Sequence, residues 1–275
     1  MSNVHLIILS AIQGVTEFIP VSSSGHLIVL PFIMDWPDQG QDVDVALHLG
    51  TLAAVVFYFR KEIWEMIKGM YNYTLSGFKS KMLTPYTYLA ISVVIATIPA
   101  VIIGFTLKSL LKIDLRYILL IAINSIIFGG FMYWADKRGQ QKRSLLDISF
   151  KSATYVGIAQ SLALIPGVSR SGICLTAARQ LGFDRRTSAT FAFMLSIPVI
   201  IGGTVLSAKS LFDNGTAITV SQWVMLLTVS FGIGLATIKI FMRILFNYSL
   251  AAFAGYRVIL GFALLGLYLL TNSGT

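Results

Sequence analysis

Gln13-Gly-Val-Thr-Glu17-Phe-Ile-Pro20-Val-Ser22-Ser23-Ser24-Gly25-His26 places a carboxylate, three consecutive hydroxyls, a glycine and an imidazole inside a chain that is 56% hydrophobic. Polar clusters in such surroundings mark sites, because an unpartnered ionisable group in hydrocarbon is costly. Shifting the chain against itself by 147 positions sets Gln13 on Gln160, Ser22 on Ser169, Ser23 on Arg170, Ser24 on Ser171 and Gly25 on Gly172 without a gap. A proline precedes the serines in each copy, Pro20 and Pro166, displaced by one place. The chain therefore reads as two halves of a duplicated unit, about 1–135 and 148–275, within one integral membrane domain spanning 1–275.

Composition sets the class around those two stretches. A mean hydropathy of +0.78 with only 12% charged residues is too apolar for a soluble domain and predicts an all-α polytopic membrane protein. Met1 to Leu9 carries no basic residue and its apolar run is broken at Gln13, so no cleaved signal is expected. A single cysteine, Cys174, forms no internal disulfide, and no Cys/His spacing suits zinc. The net charge of +9 sits in short loops between apolar runs, which fits orientation in a bilayer and excludes nucleic acid as the partner.

Six stretches are long enough to cross the hydrocarbon: Val43–Phe59, Tyr86–Leu107, Tyr117–Ala135, Ser188–Ala208, Ser221–Phe241 and Phe253–Leu270. The two motif stretches, about Val4–Leu30 and Ser152–Leu175, are broken in the middle by Pro, Gly and Ser. That pattern predicts two re-entrant helix-loop-helix hairpins, since irregular backbone at depth needs protein or water to satisfy it. The loops Arg60–Lys81, Asp136–Lys151 and Arg179–Arg186, with Lys239 and Arg243, hold fifteen Lys/Arg, against four in Lys108–Arg116 and Lys209–Val220. The richer set is cytoplasmic by the positive-inside rule. Three crossings per half then invert the second copy, bring the hairpin tips together near the midplane and leave both termini external.

The residues at the tips suit an anion. Gln13 and Glu17 lie four apart, on one face of a helix. Ser22, Ser23 and Ser24 offer hydroxyls on a loop that Gly25 lets approach a ligand, and His26 opens the returning helix. In Pro166-Gly167-Val-Ser169-Arg170-Ser171-Gly172 a guanidinium is flanked by hydroxyls and glycines at a helix start, where free N–H groups and a fork favour phosphate. Simpler readings exist: Ser-Gly clusters pack membrane helices, and Glu17 with Arg170 could be a purely structural ion pair. His48 reads as a packing histidine, His5 as interfacial, and Cys174 as a small apolar filler.

Together, Gln13-x-x-x-Glu17 with Ser22-Ser-Ser-Gly-His26, and Pro166-Gly-x-Ser-Arg-Ser-Gly172, resemble the paired motifs of the undecaprenyl-diphosphate phosphatases, or bacitracin-resistance proteins. The resemblance covers the whole chain. Gln13 conforms, because the family takes Glu or Gln there; where the second motif usually ends in threonine this chain has Cys174, with Thr176 two further on. The resemblance implies a bacterial plasma-membrane enzyme that hydrolyses undecaprenyl diphosphate to the monophosphate and phosphate, recycling the carrier lipid for peptidoglycan and conferring bacitracin resistance. It also implies help from Mg²⁺ or Ca²⁺ and a site open to the outer face. The residues allow matching roles: Arg170 with the amides near Gly167 and Gly172 as the phosphate clamp, and Glu17 with Gln13 as metal ligands or Glu17 as base. His26 would transfer a proton and Ser23 would be the nucleophile, supported by Ser22, Ser24, Gly25, Ser169 and Ser171. Direct attack by water stays open. A carrier or flippase for a polyprenyl phosphate, built on the same inverted repeat, is the alternative class. The expected partners are the lipid substrate and the bilayer, with a homodimer left open.

Overall fold

The computed structural model describes residues 1–107, 117–214 and 216–272, without the side chains of 146, 208–214 and 272. The predicted external loop 108–116 and the side chain of Lys209 lie outside the described residues. Within them the chain forms eleven α-helices: α1 Asn3–Thr16, α2 Ser23–Ile33, α3 Gly40–Tyr58, α4 Arg60–Leu75, α5 Pro85–Phe105, α6 Ile118–Arg138, α7 Phe150–Ser161, α8 Arg170–Gln180, α9 Arg185–Asn214, α10 Val220–Asn247 and α11 Ala251–Asn272. No strand occurs among the described residues, only an isolated bridge between Arg143 and Phe183.

α5, α6, α9, α10 and α11 are each long and apolar enough to cross a membrane. α3 reaches that standard only together with α4, from which it is bent by 78°. The sequence assigned 60–81 to a loop on its charges, whereas most of it is α4. Trp64, Ile67, Tyr71 and Leu75 recur at helical spacing and stay exposed, beside Arg60, Lys61 and Lys68. An apolar outward stripe flanked by cations is the pattern of a helix lying along a lipid interface. α10 also runs past its predicted end at Phe241 to Asn247, so Lys239 and Arg243 are exposed helical residues, not loop residues.

Both motif stretches fold as two short helices around a break. α1, α2, α7 and α8 have 14, 11, 12 and 11 residues, about 17–21 Å each at 1.5 Å per residue. None spans a core of about 30 Å alone. α1 packs on α2 and α7 on α8. The wider packing follows the duplication: α1 lies along α10 as α7 lies along α5, while α6 pairs with α11 and α3 with α9.

The two hairpins are not equally enclosed. Every residue of α8 from Ser171 to Arg179 is buried, between α6, α7 and α9. Its small residues Gly172, Cys174, Ala177 and Ala178 let neighbours close in on all sides. α2 instead ends on exposed Phe32, Ile33 and Met34. Arg179, counted in the sequence as a loop charge, is 0% exposed. It donates to Asp136 Oδ1 at 2.9 Å, and Arg185 donates to both Asp136 oxygens at 2.8 and 3.0 Å. The Leu250 amide completes the cluster at 3.0 Å, so one carboxylate ties α6, α8, α9 and the start of α11 together.

Candidate active site

The two breaks have the same local structure. Ser22 has φ 75° and caps α2, its Oγ accepting from the Gly25 amide at 3.3 Å; Ser169 has φ 70° and caps α8, accepting from the Gly172 amide at 3.1 Å. Left-handed φ is uncommon for a residue with a Cβ and costs of order ~1–3 kcal/mol, so it persists where the surroundings impose it. In each copy a second serine hydroxyl follows, Ser24 at 3.5 Å from Ser22 and Ser171 at 3.3 Å from Ser169. The sequence register of 147 is therefore also a conformational register.

The residue after each cap begins its helix, and these two residues, Ser23 and Arg170, meet on one carboxylate. Ser23 Oγ donates to Glu17 Oε2 at 2.7 Å, and Arg170 Nη2 donates to Glu17 Oε1 at 2.7 Å. Gln13 Nε2 also donates to Oε2, at 3.1 Å, as its position one turn earlier requires. Glu17 is 6% exposed. Arg170 is braced from behind by the Ala192 carbonyl, 2.8 Å from Nη1, and Ser171 Oγ reaches the Ile19 carbonyl across the two breaks at 3.4 Å. The repeat partner of Glu17 is Leu164, so the duplication supplies a single carboxylate.

Four contributors were not read from the sequence, or were read differently. His48, assigned to packing, places Nε2 3.8 Å from Glu17 Oε2, while its Nδ1 donates to the Asp44 carbonyl at 2.7 Å. Asn124 on α6 donates to the Pro166 carbonyl at 2.8 Å. Tyr256 lies 2.7 Å from His26 Nε2, and Arg257 donates to the Gly167 and Val168 carbonyls, each at 2.8 Å. His26 Nδ1 faces the Ser22 carbonyl at 2.8 Å. That nitrogen must carry a proton, so in the neutral ring Nε2 accepts from the Tyr256 hydroxyl. Among the described residues His26 bonds to Ser22 and Tyr256 and not to Glu17, Ser23 or Arg170, and the imidazole beside the carboxylate is His48. His48, Asn124 and Arg257 are polar residues inside apolar helices, the signal that singled out Arg170, and it could have found them too.

Both motif turns rest on α6. Gly167 has φ +88°, and a Cβ there would come within 2.7 Å of the Ile121 carbonyl oxygen, so only glycine fits. Cys174 is buried as expected and reaches Gln160 Oε1 at 3.5 Å, while Thr176 Oγ1 bonds back to the Gly172 carbonyl within its own helix. Among the described residues no group of three or more His, Cys, Asp or Glu gathers as a metal centre. Gln13 Oε1 is nevertheless a buried carbonyl oxygen without a partner, beside a carboxylate. A carboxylate and a carboxamide oxygen suit a hard divalent cation whose other ligands come from phosphate and water.

The arrangement thus offers a hydroxyl hydrogen-bonded to a carboxylate, a guanidinium with unused N–H groups, and the starts of two helices at one place. The family model described as bacitracin resistance protein BacA matches residues 6–263. Three curated proteins, each named undecaprenyl-diphosphatase, resemble the chain along almost all its length. One from Chromohalobacter salexigens is 41% identical over 96% of this chain and 98% of its own. One from Campylobacter curvus is 42% identical over 98% and 100%, and one from Alcanivorax borkumensis 41% over 94% and 96%. Motifs, helices and whole-length similarity agree, and the chain is a member of the BacA bacitracin-resistance family.

Proposed function

We propose that this membrane protein hydrolyses undecaprenyl diphosphate to undecaprenyl phosphate and inorganic phosphate, returning the carrier lipid to peptidoglycan synthesis and conferring resistance to bacitracin. The observation that carries the mechanism is the convergence of Ser23 and Arg170, equivalent positions of the two copies, on the two oxygens of Glu17. Arg170, already braced on Ala192, uses its remaining N–H groups to hold the terminal phosphoryl oxygens. Ser23 Oγ attacks the terminal phosphorus in line, its proton passes to Glu17 Oε2, and the bond to the bridging oxygen breaks to release the lipid monophosphate. Glu17 passes that proton to His48 Nε2 and is ionised again when water attacks the phosphoserine and gives its proton to the same carboxylate; the Ser23 Oγ–phosphorus bond breaks, Ser23 Oγ takes that proton back, and phosphate leaves. His48 and His26, the latter through Tyr256, are the groups that return protons to the leaving oxygens. Ser22, Ser24, Ser169 and Ser171 hold the two turns in shape, with Gly25 and Gly167 letting those turns close on Ile121 of α6 and Gly172 letting Arg257 approach. Mg²⁺ or Ca²⁺ would be held by Gln13 Oε1 and Glu17, and when bound it neutralises charge on the phosphate oxygens.

In the membrane, the six longer helical units cross and the two motif hairpins are re-entrant, as an inverted repeat with both termini and the site's mouth on the outer side. This reading is supported by hairpin helices too short to span, by packing pairs that exchange under the duplication, and by the excess of basic residues in the loops assigned to the cytoplasm. The test of the reaction is phosphate release from a polyprenyl diphosphate by purified protein in detergent, where there is nothing to cross. Wild type should turn over and Arg170→Ala should lose about 10²–10³-fold in rate or more, the scale for losing one charge-stabilising donor. Arg170→Lys should not restore it, because a point charge cannot fork. Near-normal turnover in Arg170→Ala removes that residue from the mechanism, and no release by wild type removes the hydrolase.

A further inference from the structure

Arg257 stands apart from every other buried cation described. It lies inside α11 at 1% exposure, yet no carboxylate among the described residues pairs with it. Arg179, as deeply buried, has Asp136; Arg170 has Glu17. Arg257 has only two carbonyl oxygens, those of Gly167 and Val168, both on Nη2, and its Nε has no partner at all. Guanidinium stays protonated in proteins, so the positive charge is there and lacks a counter-ion.

Its direction is set by Gly172. A Cβ on that glycine would come within 2.8 Å of Arg257 Nη1, which puts the guanidinium against the first turn of α8, where the Arg170 side chain and the unbonded amides begin. The contact with the loop also has a polarity. Carbonyl and amide of a trans peptide point opposite ways, so with the Val168 oxygen turned to Arg257, the Ser169 N–H turns to the other side. Within the cluster the charge of Glu17 is matched by Arg170, which leaves one positive charge for an incoming anion.

We infer that Arg257 is the second guanidinium of the diphosphate pocket: a positioning residue that holds the Pro166–Gly172 turn with its amides toward the ligand, and a buried charge whose counter-ion is the diphosphate. The inference rests on the hydrolase reading above. It assigns to α11, which carries neither motif, a part of substrate affinity. Arg257 is not a catalytic residue, since it acts through the turn and through its field.

The experiment uses full-length protein in detergent, with inorganic pyrophosphate as the probe, read as inhibition of lipid turnover and as thermal stabilisation at matched ionic strength. Arg257→Gln should raise both the inhibition constant of pyrophosphate and KM by about tenfold or more, the scale of losing one charged contact, with a smaller change in kcat. Arg257→Lys should recover part of that loss. A variant whose Tm and kcat fall while KM and the inhibition constant stay within about twofold of wild type would show a merely structural role and overturn the inference. If Arg257→Gln does not fold, Gly172→Ala, whose Cβ displaces the guanidinium, should weaken pyrophosphate binding, and unchanged binding in it and in Arg257→Lys overturns the inference. Wild-type protein neither inhibited nor stabilised by pyrophosphate overturns it also. Stabilisation that depends on Arg257 in a protein releasing no phosphate would keep the anion pocket and discard the hydrolase.

Discussion

At the scale of single residues, the site turns on how many donors Glu17 serves. Oε2 accepts from Ser23 and Gln13, and Oε1 from Arg170, so the carboxylate is placed to receive a proton from Ser23 without moving. Ser23→Ala should therefore cut phosphate release by about 10³-fold or more, the scale for losing a nucleophile. Acid quenching of wild type with labelled substrate should trap a phosphoenzyme on Ser23; a Ser23→Ala variant keeping most of its rate would favour direct attack by water. Glu17→Gln leaves a group that cannot take the proton, and chelator should abolish whatever part of wild-type activity depends on the Gln13 oxygen and its neighbour. Gln13, Glu17, Ser23 and Arg170 were legible because each is a polar residue in an apolar run at a helix break. The nearness of His48 to Glu17 was not legible for want of distance information: 31 positions separate them, and the packing of α3 on α1 brings them together. Tyr256 has an ordinary place at a helix surface and nothing in its neighbours announces His26.

Among the elements, α8 and α4 show what pattern reading catches and misses. The break before α8 was visible in Pro166 and Gly167, but its complete burial was not, because burial depends on which helices surround it. The Asp136 cluster is the clearest case of that dependence. Its donors come from Arg179, Arg185 and the Leu250 amide, 43 to 114 positions away. Asp136→Ala would leave two guanidinium groups and an amide facing a void at the junction of four helices. It should cost about 3–5 kcal/mol, as for breaking a buried pair from one side, seen as a large fall in unfolding temperature in detergent. Asp136→Asn should lie between that variant and wild type. α4 was lost to its charges: Arg60, Lys61 and Lys68 made a loop plausible, and the exposed row from Trp64 to Leu75 was the overlooked evidence.

For the whole molecule, five of the six predicted spans were legible from hydropathy as long apolar helices, and the sixth, α3, reaches that standard only together with α4. Their orientation is a matter of loop charge. A cysteine at Ser2 in a Cys174→Ser background should react with a membrane-impermeant reagent from outside intact cells. Labelling only after lysis would reverse the assignment of both termini. What hydropathy could not convey is that the halves are unequal, with α8 enclosed from Ser171 to Arg179 and α2 ending on exposed Phe32, Ile33 and Met34.

Leu164 at the place corresponding to Glu17, and Ser23 at the place corresponding to Arg170, give that inequality a history. On the proposed duplicated reading each copy has shed what its sibling retained, and neither half alone carries both Glu17 and Arg170. On that reading the molecule is a fused heterodimer of two specialised siblings. Severed between α6 and α7 and co-expressed, the fragments should complement one another, while either alone stays inert.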